Sequence, residues 1–161
     1  MNPPPAARVR LRIYGAGTLG HQAPRSASEC GDRRVSYPYE LGGEALWDAG
    51  YHSGRLYASL ARGAAESVGL PTGLTETPHG SCDIDLPTFR AFVQGLYARY
   101  SSTSHPVTHG LARGLLVTSL VLLERAGAPL TLKPEHEEAL GEEKTAFAHA
   151  MGDGEQGRSL G

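Results

Sequence analysis

Four residues could supply the side chains of a small active site: His79, Cys82, Asp83 and His105. A cysteine beside a histidine can act as a nucleophile with its base, and a nearby carboxylate can take part in acid–base chemistry. The flanking charges oppose this use, because a reactive thiolate needs an electropositive setting and Cys82 is followed closely by Asp83 and Asp85. We therefore expect Cys82 to be a half-buried structural residue, and we keep a small hydrolase or transferase built on these four residues as an alternative.

The same histidines also raise the question of a metal site. His105 and His109 are four residues apart, a spacing that places two ligands on one face of a helix, and His79 with Cys82 could complete the site. His105 precedes Pro106, however, and a residue before proline is pushed out of the helical region. The pattern therefore favours cap and loop histidines, and we predict neither a metal ion nor another cofactor.

A G-x-G-x-x-G pattern formed by Gly15, Gly17 and Gly20 is typical of dinucleotide-binding proteins. In such proteins the third glycine opens a helix whose N-terminus holds the pyrophosphate. Here Pro24 would fall inside that helix, at a cost of about 3 kcal/mol, and no further strand–helix–strand unit follows. We interpret the pattern as a coincidence.

Two other groups of residues could bind a partner or an anion. Hydroxyl groups and histidines fill the stretch "YSSTSHPVTH" ahead of a predicted helix, and the free N–H groups of a helix N-terminus attract anions. Aromatic residues, which are enriched at protein interfaces, cluster around a predicted hairpin, although they could also line the core. The candidate binding residues are Tyr37, Tyr39, Trp47, Tyr51, Ser104, His105 and His109.

The hairpin is predicted from "YPYELGGEALW", in which two apolar and aromatic runs flank Gly42 and Gly43. A Gly-Gly pair accepts the positive φ angles that a two-residue turn requires. We expect Trp47 to pack this hairpin against the helices that follow.

A first helix is predicted to end near Val68, before Gly69, with Asp48 or Ser53 as its N-cap. The segment "LPTGL" after it is predicted to be a loop. The apolar face expected of this amphipathic helix carries Leu56, Leu60, Ala64 and Val68, with Tyr57 and Ala61 beside them.

Three more helices are predicted. Asp85 is expected to cap the second, whose apolar residues recur with helical spacing from Phe89 to Tyr100. The third runs from Pro106 to about Arg125 and is apolar around nearly its whole circumference between Leu111 and Leu123, which predicts a central position. The fourth, over residues 133–152, is weakly amphipathic and acidic in its first turns.

Length, composition and charge limit the function further. The 161 residues, 40% of them hydrophobic, suit one domain of residues 36–150. Residues 1–35 are predicted to be a disordered tail, or an extension upstream of a true start near Val35, and residues 151–161 a frayed tail. Segment 1–34 carries +4, which leaves −6 for the rest of a chain with a total of −2.

That acidic remainder does not favour nucleic acid. The most apolar run, residues 111–123, is shorter than the roughly 20 residues that span a membrane, and no export signal is visible. The two cysteines lie far apart, which is typical of a reducing compartment. We predict a cytoplasmic protein that binds neither nucleic acid nor membrane.

Three stretches carry a family resemblance: "GGEALWDAGYHSGRLYASLA", "IDLPTFRAFVQGLYARYSSTSHPV" and "LLVTSLVLLERAG". They resemble a family of small proteins from high-GC actinobacteria that is labelled only as a domain of unknown function. The resemblance covers roughly residues 36–130 and places residues 1–34 outside the domain. It implies no activity and assigns no catalytic residue.

These patterns together predict a mainly α fold, with an N-terminal β-hairpin packed on a three- or four-helix bundle around a central apolar helix. We expect a non-enzymatic binding or regulatory protein, such as a partner-binding or immunity-type protein. Its aromatic hairpin and acidic fourth helix would contact a protein partner, and a homodimer is the alternative. A small-ligand carrier with a pocket between the helices stays open as a further alternative.

Overall fold

The computed structural model describes residues 36–152. The predicted tail over 1–35, the glycine pattern at 15–20 and residues 153–161 lie outside the described residues. The elements, in chain order, are β1 Ser36–Leu41, β2 Glu44–Gly50, α1 Tyr51–Val68, β3 Leu74–Glu76, β4 Cys82–Ile84, α2 Leu86–Ser102, α3 Pro106–Arg125 and α4 Pro134–Ala150. The predicted mainly α fold with an N-terminal hairpin packed on helices is confirmed.

Strands β1 and β2 form the predicted hairpin. They pair antiparallel around Gly42 and Gly43, whose φ angles are 59° and 86°, the left-handed values that suit a two-residue turn. Trp47 lies opposite Tyr39, and their rings stack with centroids 5.3 Å apart, while Tyr57 of α1 meets the indole edge-on at 5.9 Å. Trp47 therefore packs the hairpin against the helices, as predicted.

A second pair of strands, β3 and β4, extends the sheet to the order β2-β1-β4-β3. The prediction of a loop at "LPTGL" is wrong where β3 begins, because a three-residue strand is too short to show a period in sequence. Strand β4 runs parallel to β1, with Cys82 beside Tyr39. Its side chains alternate, so that Cys82 and Ile84 are buried and Asp83 between them is exposed.

Helix α1 packs through a face of small residues and one tyrosine. Its buried residues are Gly54, Tyr57, Ala58 and Ala61, and a methyl group on Gly54 would lie 2.8 Å from the Tyr37 side chain. A leucine could not approach the sheet so closely, and the leucine stripe consequently points outward.

Two predictions about α1 are therefore wrong. Leu56 and Leu60, predicted to lie on the apolar face, are 61% and 52% exposed. Neither predicted N-cap acts as one, since the helix begins after Gly50 with no capping side chain.

Helix α3 forms the centre of the bundle, as predicted, and packs against both α2 and α4. The Asp85 carboxylate accepts a hydrogen bond from the Thr88 backbone N–H at 3.3 Å, which confirms the cap of α2. Every residue of α3 from Leu115 to Leu123 is buried. The first two turns of α3 project beyond this core, and Leu111 is 78% exposed.

By length and composition α3 also meets the criteria for a membrane-spanning helix, with a mean hydropathy of 1.4 over 18 residues. Half of that window is buried inside the fold.

Helix α4 packs against α3. Leu140 is buried between them, and the Lys144 ammonium bridges Glu124 of α3 at 2.7 Å and Glu137 at 3.0 Å. The Tyr97 hydroxyl of α2 lies 2.9 Å from Nδ1 of His136. The predicted fourth helix is confirmed and belongs to the folded domain.

One arginine joins the end of α4 to the hairpin. The Arg125 guanidinium, in the last turn of α3, donates to the carbonyl oxygens of Leu46, Ala148 and Gly152 at 2.8, 2.9 and 2.6 Å. Leu46 lies at the bulge in the β1–β2 pairing, where the extra residue leaves its carbonyl outside the regular ladder.

Candidate functional site

The four residues predicted as an alternative active site do not share a cleft. Cys82 is fully buried on the helix-facing side of the sheet, whereas Asp83 points to the opposite, exposed side. His79 is exposed in the turn between β3 and β4, and His105 is exposed ahead of α3. No hydrogen bond joins the side chains of any two of them within the described part of the chain.

The environment of Cys82 also opposes nucleophilic chemistry. Burial raises the pKa of its thiol to about 12, and the negative charges of Glu76 and Asp83 contribute in the same direction. A thiol in this state stays protonated at neutral pH and is a poor nucleophile. Between residues 36 and 152, no group of three or more His, Cys, Asp or Glu residues is arranged to hold a metal ion.

The aromatic residues of the hairpin do not form an exposed recognition surface, which corrects that prediction. Tyr37 and Tyr39 belong to the core, with exposures of 1% and 0%. The Tyr39 hydroxyl donates to the carbonyl oxygen of Gly54 at 2.7 Å. Trp47 and Tyr51 are half-buried against the same core. These residues position α1 on the sheet and leave little ring surface for a partner.

The remaining predicted binding residues lie around the start of α3. Ser104 and His105 are exposed in the loop between α2 and α3. His109 is half-buried, and its ring lies against Tyr100 of α2 with centroids 3.9 Å apart. The His109 ring therefore contributes to the α2–α3 contact.

The structure contains an apolar groove of about 420 Å³ between three helices, whose position and lining residues the sequence did not predict. It lies where the C-terminal halves of α1 and α2 meet the N-terminal half of α3, and we call it the α1–α3 groove. Its lining residues are mostly apolar or small: Ser59, Leu60, Gly63, Ala64, Ser67, Val68, Leu96, Arg99, Thr108, Leu111, Ala112 and Leu115.

Leucines form the two walls of the groove. Leu60 projects from α1 and Leu111 from α3, with 52% and 78% of their surfaces exposed. One turn further along each helix, Leu56 and Val107 are 61% and 63% exposed. Because residues four apart on a helix share a face, each wall continues as an apolar stripe beyond the groove itself.

Small residues keep the groove open between these walls. Gly63 and Ala64 of α1 line the groove together with Ala112 of α3, and a methyl group added to Gly63 would have no neighbour within 4 Å. Beneath them, the buried side chains of Leu96 and Leu115 close the floor.

Arg99, in the last turn of α2, is the charged residue of the lining. Within the described chain its guanidinium makes no ion pair and no side-chain hydrogen bond. The arginines of α1 differ, because Arg55 and Arg62 both bind the Glu76 carboxylate, at 2.9 and 2.7 Å. Among the described residues no carboxylate lines the groove, so Arg99 gives this lining an uncompensated positive charge.

The polar groups in the described lining of the groove are hydrogen-bonding groups. Its polar groups are the Arg99 guanidinium and the hydroxyls of Ser59, Ser67 and Thr108, and the Ser59 hydroxyl already donates to the Arg55 carbonyl oxygen. No carboxylate, thiol or imidazole accompanies them as an acid or base.

The signal that could have revealed the groove is the presence of two apolar faces on α1. The Leu56–Leu60 stripe and the Tyr57–Ala61 stripe compete for the core, and only one of them can pack against the sheet. The small residues of the second stripe allow the closer approach.

A comparison with models of protein families identifies the family of the chain. The model of a family of unknown function, DUF6086, matches residues 35–153. The chain belongs to this family. The DUF6086 match covers every strand and helix described above, and it includes α4, which lies beyond the stretches that carry the resemblance in sequence. Comparisons with curated proteins and with solved structures gave no match.

Proposed function

We propose that this DUF6086 protein is a non-enzymatic binding module that holds a protein partner in the α1–α3 groove. The observation that carries the proposal is the exposure of Leu60 of α1 and Leu111 of α3, which both line an apolar groove. Burying such side chains drives association, since each apolar residue that leaves water contributes favourable free energy. Contiguous exposed apolar surface on a folded domain is typical of an interaction site.

A small-ligand carrier is the second candidate. The groove volume of about 420 Å³ falls in the range of roughly 300 to 1,000 Å³ that small-molecule sites occupy. A carrier encloses most of its ligand, however, whereas Leu111 remains 78% exposed at the rim. The apolar stripes also run past the groove at both Leu56 and Val107, which favours a longer occupant.

Site-specific crosslinking in the native host tests the proposal. A photoreactive phenylalanine analogue replaces Leu60 or Leu111 in separate variants of the full chain. The control places the same analogue at Ala146, an exposed residue of α4, and it also tests the acidic α4 surface that the sequence suggests as a contact. We expect the two groove variants to trap the same protein, identified by mass spectrometry, and the Ala146 variant not to trap it.

Two results would overturn the proposal. One is the absence of adducts at both groove positions in a chain that is folded by circular dichroism. The other is a set of adducts shared equally by the groove and the control, because such adducts report collision and not a specific contact.

A further inference from the structure

We infer that the occupant of the α1–α3 groove is an amphipathic α-helix of the partner, with an apolar stripe between Leu60 and Leu111 and an acidic side chain against Arg99. This inference rests on the proposed function of the groove and adds the chemistry of its ligand. Shape, length and charge support it in turn.

The shape of the groove matches a helix. Helices α1 and α3 run in opposite directions along it, since Tyr57 meets Ser119 at one end while Val68 and Thr108 line the other. Packed helices lie about 8–10 Å apart, and the shortest distances require small residues at the contact. Gly63 supplies such a position on the groove side of α1, with open space above it.

The length of the apolar surface also matches a helix. Leu56 and Leu60 are one turn apart on α1, and Val107 and Leu111 are one turn apart on α3. A helix with apolar residues at i, i+4 and i+7 presents a stripe of about 10 Å, and helix-in-groove complexes use this spacing for their anchors. A single alkyl chain would cover only the space between the walls.

The charge of the groove selects the partner's polar residue. Arg99 is unpaired in the described chain, and the lining contains no acid. A carboxylate from the occupant would form a charge-assisted hydrogen bond with the guanidinium. An amphipathic helix with aspartate or glutamate beside its apolar stripe therefore fits, whereas one with lysine there is repelled.

The same charge argues against a second copy of this chain. A two-fold symmetric contact places the same patch of both copies together. Each copy would contribute Arg99, and neither copy would contribute a carboxylate from the groove lining. Self-association through this groove would therefore leave both guanidinium groups without a partner.

A helix library tests the inference with a defined probe. The library displays peptides of about 18 residues, or five turns, in an alanine-rich frame randomised at every exposed position, and it is selected against the full 161-residue chain. We expect enriched sequences with apolar residues at i, i+4 and i+7 and an acidic residue beside this stripe. Selection against Leu111→Asp, folded by circular dichroism, should not enrich them.

Charge reversal provides the matched control. Arg99→Glu should weaken binding of an enriched acidic peptide about five-fold, the value of one exposed ion pair, and a peptide with lysine in place of the acid should then bind better. Arg90→Glu changes an exposed arginine of the same helix outside the groove and should leave the affinity unchanged.

Five outcomes would overturn the inference. Enriched peptides could lack the acidic residue, or bind Arg99→Glu and Arg90→Glu equally. The wild-type chain could form a dimer that Leu111→Asp dissociates, which would make a second copy the occupant. Dodecanoate could displace the peptides and bind the chain stoichiometrically, which would favour a fatty acid as the occupant of the groove. Crosslinking at Leu60 and Leu111 to a protein that binds by an extended segment would contradict the helical occupant and would still support the proposed function.

Discussion

The Tyr57 hydroxyl lies 2.8 Å from the Ser119 hydroxyl, in a fully buried contact between α1 and α3 across 62 residues of sequence. Ser119 donates its own proton to the Leu115 carbonyl oxygen, so Tyr57 is the donor in the pair. This bond fixes α1 against the central helix at the end of the α1–α3 groove.

Removing the acceptor should cost more than removing the donor. Ser119→Ala leaves the Tyr57 hydroxyl buried without a partner and should lower the free energy of unfolding by about 1–3 kcal/mol. Tyr57→Phe leaves Ser119 bonded to Leu115 and should cost about 1 kcal/mol. Urea unfolding measures both, and the double variant should lose less than the two losses added together. Strict additivity would show that the pair is uncoupled.

Two neighbouring tyrosines should respond oppositely to loss of their hydroxyls. The Tyr37 hydroxyl is buried with no hydrogen-bond partner in the described chain, whereas the Tyr39 hydroxyl is bonded to Gly54. We expect Tyr37→Phe to stabilise the fold, by up to about 1 kcal/mol, and Tyr39→Phe to destabilise it by about 1 kcal/mol. Thermal and urea unfolding at pH 7 distinguish them, and equal losses would mean that Tyr37 has a partner.

The domain should lose stability steeply in alkali. Burial raises the pKa of Tyr37 and Cys82 to about 12 each, and it raises the pKa of Tyr39 and Tyr57 as well. These groups keep their protons to higher pH in the folded state than in the unfolded state. Their contribution to the free energy of unfolding is therefore complete below the unfolded pKa values, about 8.5 for cysteine and 10 for tyrosine. It is then lost as the pH rises toward the folded values.

Each such group should reduce the free energy of unfolding by about 1.4 kcal/mol per pH unit in that window. Urea midpoints between pH 8 and 11 measure the slope, and Tyr37→Phe should make it shallower. In a Cys30→Ser background, Cys82 should resist alkylation at pH 8 until urea unfolds the chain. Rapid alkylation of the folded protein would contradict a buried, protonated thiol.

The same substitution at two leucines of α3 should have very different costs. Leu122 is fully buried and Leu111 is 78% exposed. We expect Leu122→Ala to lower the free energy of unfolding by about 2–5 kcal/mol and Leu111→Ala to change it by less than about 0.5 kcal/mol. Urea unfolding of both variants checks this, and a large loss at Leu111 would mean that it packs within the fold and is not available to a partner.

Two glycines with positive φ should differ in their tolerance of alanine. At Gly42 in the hairpin turn, with φ of 59°, an added methyl group has no neighbour within 4 Å, so Gly42→Ala should cost about 1 kcal/mol for the backbone alone. At Gly73, with φ of 70°, it would collide with the backbone at Phe89 and Asp85. We expect Gly73→Ala to cost about 3 kcal/mol, and similar melting temperatures for both variants would contradict this.

The sequence predicts those parts of the fold that depend on local chemistry. The turn at Gly42 and Gly43, the Asp85 cap and the start of α3 at Pro106 each follow from a residue whose backbone or side chain dictates the conformation. The strands β3 and β4 are too short to leave a periodic signal, and the pairing of β4 with β1 joins segments far apart in the chain.

The candidate site could not be predicted for the same reason. Which stripe of α1 enters the core is decided by how closely Gly54 approaches Tyr37 of the sheet, and that is a property of packing between distant segments. The sequence of α1 alone therefore suggests a buried leucine face, whereas in the structure Leu56 and Leu60 are exposed. Cys82 and Asp83, adjacent in sequence, are separated because alternation along β4 sends neighbouring side chains to opposite sides.

The three carbonyl oxygens around Arg125 have a practical consequence for protein production. A recombinant fragment that stops before Ala148 removes two of the acceptors, and leaves the guanidinium with the Leu46 carbonyl alone. A fragment that ends beyond Gly152 retains all three. Through Arg125 the last turn of α4 is therefore linked to the hairpin, and trimming it should loosen both the hairpin and the C-terminal part of α4.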